Sequence, residues 1–255
     1  MRNLYLLSSL FVLVACGTPP MDGPSDAATT TDAAPIDAAD EAYDPFDAGP
    51  TKYVPAASCA VLGTPAFCDD FENGWGKWAS GIPAEVTLDD TIYGSPTHAL
   101  RATLLGKGGT RAASRILPSS TRTVTADILV DELPIDARAN AITIGNGTSA
   151  IEVTVVHLYK SPTFIVGLSV RNGSASSGRN VPATFAVGSW FHVAVTTDWA
   201  KKIKVESNLG SIEVLDPNVP PPVEGSEVLT VGIDSATAKL DTDRIVLHVD
   251  NVTAN

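Results

Sequence analysis

Four histidines and a set of well-separated carboxylates are the side chains of this chain that could carry acid–base or metal chemistry. No two of the histidines have the spacing of a zinc motif such as His-Glu-x-x-His. Glycoside hydrolysis needs two carboxylates facing one groove, whereas Glu152, Glu206 and Glu213 each stand alone. A Gly-x-Ser-x-Gly nucleophile turn is also missing, because Gly167-Leu168-Ser169-Val170 is followed by Arg171. The sequence therefore predicts no catalytic residues.

Cys16 follows a segment that is typical of exported proteins. Arg2 precedes an apolar run of eleven residues, Leu4 to Val14, which is too short to span a bilayer core of about 30 Å. The residues Leu13-Val14-Ala15-Cys16 resemble the lipobox of bacterial lipoproteins. This resemblance implies removal of residues 1–15, a lipid anchor on Cys16 and attachment to the cell envelope, and the Gly at position 17 implies the outer membrane. The alternative is an ordinary signal peptide with an incidental cysteine.

The other two cysteines, Cys59 and Cys68, lie close together in the sequence. Thiols outside the cytoplasm are held oxidised, so we predict a disulfide between them. Closing so short a loop would stabilise the fold by about 2–3 kcal/mol. The alternative is a metal site shared with a distant histidine, which no ligand spacing supports.

Residues 16–52 are predicted to form a disordered tether. The segment consists mainly of Ala, Asp, Thr and Pro, with eight acidic residues and no basic residue before Lys52. Such a composition cannot bury enough apolar surface to fold, and its like charges and prolines extend it. From Lys52 onward the chain has 21 acids against 16 bases, a net charge of about −5. This charge gives no support to nucleic-acid binding, which needs a concentrated basic face.

Residues 53–255 are predicted to form one all-β domain. Apolar and β-branched residues alternate or run together at 85–88, 123–130, 151–156, 164–170, 191–195, 202–206, 228–231 and 245–249. Turn residues such as Gly145-Asn146-Gly147 and Asn208-Leu209-Gly210 separate these segments. Many short strands with turns between them indicate a sandwich or a barrel.

Four sequence features resemble the concanavalin A-like jelly rolls of the laminin-G-like type. They are Phe67-Cys68-Asp69-Asp70-Phe71-Glu72, Gly94-Ser95-Pro96-Thr97-His98-Ala99-Leu100-Arg101, Gly188-Ser189-Trp190-Phe191-His192-Val193-Ala194-Val195 and Val249-Asp250-Asn251-Val252. The resemblance implies a two-sheet antiparallel jelly-roll sandwich whose last strand lies beside its first. It also implies a structural calcium ion at Asp70, Glu72 and Asp250, which could supply carboxylate oxygens. The alternative is that these acids cap turns or pair with Arg or Lys.

Aromatic side chains in predicted loops are the candidate ligand contacts. Trp75 and Trp199 are flanked by residues such as Gly, Asp and Lys, so we expect them to be exposed. Together with Tyr93, they could offer a flat face to a sugar ring.

The sequence predicts a membrane-anchored extracytoplasmic binding module. Recognition of carbohydrate is expected by analogy with this fold, so the expected partner is a polysaccharide or a surface protein. One alternative is a structural lipoprotein that docks another protein and has no small ligand. A second alternative is a polysaccharide lyase or hydrolase.

Overall fold

The computed structural model describes residues 53–56, 58, 65–79, 81–118, 121–146, 148–159, 163–199, 201–215, 217, 219–220 and 225–255. The predicted signal peptide, the predicted tether with Cys16, and Cys59 lie outside the described residues. The lipid anchor and the Cys59–Cys68 disulfide therefore stay predictions. Within the described ranges, no helix has the length and apolarity that are needed to cross a membrane.

The described residues form two antiparallel sheets that together contain fourteen strands. The strands are β1 (Phe67–Asp69), β2 (Val86–Asp89), β3 (Ala99–Leu105), β4 (Arg111–Ile116), β5 (Thr123–Glu132), β6 (Arg138–Gly145), β7 (Ser149–His157), β8 (Thr163–Asn172), β9 (Ala175–Ala186), β10 (Trp190–Asp198), β11 (Lys202–Ser207), β12 (Gly210–Leu215), β13 (Val228–Thr237) and β14 (Arg244–Ala254). Sheet A has the order β12-β11-β10-β5-β14-β3-β2, with β1 also paired to β14, and sheet B has the order β4-β13-β6-β7-β8-β9. The predicted jelly-roll sandwich is confirmed. The first strand also lies beside the last, since Cys68 pairs with Thr253.

Side chains that alternate along the strands fill the space between the two sheets. In β10, Phe191, Val193 and Val195 are buried, and the residues between them are partly exposed. This period of two is expected for a strand with one face on a core. Phe191 of sheet A packs against Phe164 and Phe185 of sheet B, with ring centroids 5.4 and 4.9 Å apart. Aromatic contacts therefore join the two sheets.

A buried carboxylate organises the outer face of sheet A. Asp127 lies between the core residues Ala126 and Ile128 of β5, so its side chain points to the opposite side of the sheet. It is nevertheless fully buried. Its oxygens accept hydrogen bonds from Tyr53 Oη at 2.9 Å, from His192 Nδ1 at 2.8 Å and from Asn251 Nδ2 at 2.9 Å. One carboxylate therefore links β5, β10, β14 and the segment before β1.

Residues 53–56, which we call the strap, supply the cover over Asp127. Besides the Tyr53 hydrogen bond, the carbonyl of Ala56 accepts a hydrogen bond from Asn251 Nδ2 at 3.0 Å. Pro55 packs against Gly94 so closely that a Cβ at position 94 would lie 2.9 Å from Pro55 Cβ. The glycine is therefore needed for the strap to approach the sheet.

The last strand is buried on both faces as a result. From Ile245 to Ala254 every residue of β14 is buried. On the outer face, the backbone amides of Gly94 and Ser95 donate to Asp250 Oδ2 at 2.9 and 2.7 Å. The strap and the loop between β2 and β3 thus exclude water from a polar surface, and buried polar groups of this kind need internal partners.

We predict that Asp127→Ala destabilises the domain by at least about 2 kcal/mol, because the buried Asn251 and the partly buried Tyr53 and His192 lose their acceptor together. The free energy of unfolding, measured with urea, checks this prediction. The matched control is Asp198→Ala, which removes an exposed carboxylate from β10. Equal stability of the two variants would contradict the role of Asp127.

Candidate functional site

A depression of about 240 Å³ lies on the outer face of sheet B. Its lining is almost entirely polar and comes from five strands, β6, β7, β8, β9 and β13. We call it the polar groove, and its lining residues are Arg138, Asn140, Glu152, Thr154, Ser169, Ser176, Ser235, Ala236 and Thr237.

The strand alternation places these polar side chains on the outside of the sheet. Thr154 follows the fully buried Val153, so its side chain points away from the core. Directly opposite on β6, Asn140 Oδ1 accepts a hydrogen bond from Thr154 Oγ1 at 2.8 Å. The hydroxyl oxygens of Ser169 and Ser176, on β8 and β9, lie 3.0 Å apart. Cross-strand hydrogen bonds therefore hold several lining groups in fixed positions before any ligand binds.

Three charged side chains border or line the polar groove. Arg171 Nε donates to Glu152 Oε1 at 3.2 Å, and the two residues lie on the adjacent strands β8 and β7. Arg138 begins β6 and is exposed. The carboxylate is thus compensated by its neighbour, and Arg138 adds a positive charge at the other side of the groove.

The groove has the chemistry of a polar binding surface. Its hydroxyls, its amide and its guanidinium offer both donors and acceptors. Glu152 is the sole carboxylate among the nine lining residues, whereas glycoside hydrolysis uses two. The arrangement can hold a hydroxyl-rich or acidic ligand against the sheet.

The predicted aromatic contacts do not belong to this groove. Trp199 is 4% exposed and lies in the core cluster, so the expectation that it is exposed was wrong. Trp75 is half-buried and packs edge-on against Phe71 at 6.0 Å. Tyr93 is 41% exposed but follows β2 of sheet A. Polar flanking residues suggested loops, whereas tertiary packing decided the burial of the rings.

The predicted calcium ligands have separate hydrogen-bond partners. Asp70 accepts from Ser58 Oγ at 2.7 Å, and Glu72 accepts from His98 N at 2.8 Å. Asp250 accepts from the backbone amides of Gly94 and Ser95. Among the described residues, no group of three His, Cys, Asp or Glu side chains is arranged to hold a metal ion. Calcium at Asp70, Glu72 and Asp250 stays a prediction.

Sequence reasoning missed the polar groove and the Tyr53–Asp127–His192 cluster. The alternation of Glu152 and Thr154 with buried valines was a usable signal for one polar strand face. Which strands lie beside it depends on long-range pairing, such as that of Ser235 with Asn140, 95 positions earlier in the chain.

No protein-family model and no curated protein sequence matches this chain. Solved structures do match its fold. The cellulose-induced protein Cip1 superposes with a TM-score of 0.52 at 15% identity, over 74% of this chain and 96% of that one. An alginate lyase from Alteromonas sp. 272 gives 0.45 at 13% identity, over 68% and 94%. Botulinum neurotoxin type C gives 0.46 at 15% identity, over 66% and 41%. At such identities the similarity to Cip1 shows the fold alone.

Glu227 is another buried acid outside the groove, and it lies beside Trp199. Glu227 is 3% exposed, and its Oε1 has no hydrogen-bond partner within the part of the chain that the structure describes. Burial raises the pKa of Glu227 from 4.5 to about 7, although the Arg122 guanidinium and the Trp199 indole act in the opposite direction. The folded state therefore holds a proton on Glu227 between about pH 4.5 and 7 that the unfolded state has released.

We predict that stability falls as the pH rises through this interval, because ionised Glu227 is buried without sufficient compensation. Glu227→Gln should stabilise the domain by about 1–3 kcal/mol at pH 8 and change little at pH 4. Thermal unfolding across this pH range checks the prediction. Some slope should remain in the variant, because burial also raises the pKa of Asp250 to about 7. The exposed Glu206→Gln is the control, and a parallel pH profile for both variants would contradict the prediction.

Proposed function

We propose that this chain is a lipid-anchored, extracytoplasmic carbohydrate-binding module that holds a saccharide in the polar groove. The observation that carries the proposal is the groove itself. Hydroxyl, amide and charged groups from five strands converge on one outer face of the sandwich. Sugar hydroxyls both donate and accept hydrogen bonds, and the lining groups match both functions.

The size of the groove suits an extended chain of sugar units. Five adjacent strands span four inter-strand spacings, or roughly 19 Å. Each hydrogen bond contributes about 0.5–1.5 kcal/mol net, so several bonds in a row are needed for useful affinity. Cross-strand hydrogen bonds such as Asn140–Thr154 lower the entropic cost of binding, because the lining groups are already ordered.

The N-terminal sequence supports the cellular part of the proposal. A lipid on Cys16 followed by an acidic tether of residues 17–52 would hold the domain at the cell envelope, with the outer membrane favoured by the Gly at position 17.

Cys16→Ser is then expected to move the protein from the membrane fraction to the soluble extracytoplasmic fraction. Immunoblotting of the two fractions checks this, and a Cys16→Ser variant that stays with the membrane would contradict lipid anchoring at this residue.

Filling the groove tests the proposed site directly. Ser235 is an exposed lining residue of β13, and Ser235→Trp should obstruct the groove and weaken saccharide binding at least about tenfold. Thr87→Trp is the matched control, since it places the same side chain at an exposed strand position of sheet A. A glycan array followed by calorimetry on the best ligand, with and without calcium, provides the measurement.

The array also separates this proposal from the protein-docking alternative. Binding that Ser235→Trp abolishes and Thr87→Trp preserves is the expected result. A saccharide that binds both variants equally would place the site elsewhere. Absence of binding to any saccharide, with or without calcium, would overturn the proposal and favour a module that docks another protein.

A further inference from the structure

Arg138 differs from most of the described arginines in having no hydrogen-bond or ion-pair partner among the described residues. Six of the eight described arginines hydrogen bond or pair with another residue: Arg101, Arg111, Arg115, Arg122, Arg171 and Arg244. Arg138 and Arg179 are without such a contact among the described residues. Arg138 lines the polar groove, and Arg179 lines a different cleft, beside β12.

The charge balance of the groove depends on Arg138. Glu152, the groove's carboxylate, is paired with Arg171 at 3.2 Å. The guanidinium of Arg138 therefore leaves a net positive charge in the groove, on a domain whose net charge from Lys52 onward is about −5. In a predominantly acidic domain, an uncompensated arginine at the proposed site favours an anionic ligand.

The lining of the groove also lacks the aromatic side chains on which neutral sugars most often stack. None of its nine lining residues is aromatic, so a pyranose ring finds no flat apolar face to stack on. Affinity then depends on polar contacts, and charge-assisted hydrogen bonds are about twice as strong as neutral ones. The planar guanidinium can bind a carboxylate or a sulfate through two parallel N–H groups.

We propose that the polar groove selects acidic glycans and that Arg138 is the residue that binds their carboxylate or sulfate groups. This inference rests on the proposed function, because it names the ligand class of the same groove. It makes Arg138 a specificity-determining residue. Asn140, Thr154 and the serines bind the hydroxyl groups that acidic and neutral glycans share.

Chemically matched pairs of polysaccharides test the selectivity on the full-length chain. The pairs are polygalacturonate with its methyl ester, carboxymethylcellulose with hydroxyethylcellulose, and dextran sulfate with dextran. In at least one pair the acidic member should bind about tenfold or more tightly than the neutral one, and added salt should reduce this difference. If no acidic member binds more tightly than its neutral partner, the selectivity is overturned.

Variants of Arg138 and Arg179 test which of the two arginines determines the selectivity. Arg138→Gln should remove most of the preference for the acidic member and keep the weaker binding of the neutral one. Arg138→Lys should restore the preference in part, because lysine keeps the charge but lacks the planar fork. Arg179→Gln is the matched control and should bind like the wild type. Equal effects of Arg138→Gln and Arg179→Gln would overturn the role of Arg138.

The same data distinguish this inference from the proposed function. If neutral glycans bind as tightly as acidic ones and Ser235→Trp abolishes both, the groove is a saccharide site and the acid selectivity is wrong. If no member of any pair binds, the proposed selectivity for acidic glycans is overturned. The glycan array alone then tests whether the groove binds a saccharide.

Discussion

The hydrogen bonds to Asp127 are the interaction on which the arrangement of sheet A depends. A buried carboxylate is costly unless its oxygens have partners, and here Tyr53, His192 and Asn251 provide three donors. These donors belong to parts of the chain that are far apart in sequence. The carboxylate can be satisfied when β5, β10, β14 and the strap come together, so the same bonds that compensate the charge also favour one arrangement of these segments.

The outer faces of sheets A and B have different environments. The outer face of sheet A is covered along β14 by the strap and by the loop that contains Gly94. The outer face of sheet B carries the polar groove with its exposed Ser235 and Arg138. The strap therefore lies on the face of the sandwich opposite to the groove. A ligand can approach the groove without displacing the strap.

The two buried acids with strongly raised pKa values lie outside the polar groove. Strongly perturbed pKa values often mark catalytic sites, but Glu227 and Asp250, whose pKa values are raised to about 7, are absent from the groove lining. The pKa of Glu227 is raised because the effect of burial outweighs the opposite effects of Arg122 and Trp199. Within the groove, Glu152 is partnered by Arg171. The groups with strongly raised pKa values therefore lie outside the groove, where they make the stability of the domain depend on pH.

The sequence by itself determined the fold class and the position of many strands. Alternation at 123–130 and 191–195 and an apolar run at 245–249 were sufficient for β5, β10 and β14, because both patterns are local properties of strands that pack on a core. Strands such as β6 and β9 were not predicted. Tertiary structure alone decided which polar faces became neighbours, as for Asn140 and Ser235, and that Trp199 is buried despite its polar flanks. Both outcomes depend on contacts between distant segments, which no local pattern of residues encodes.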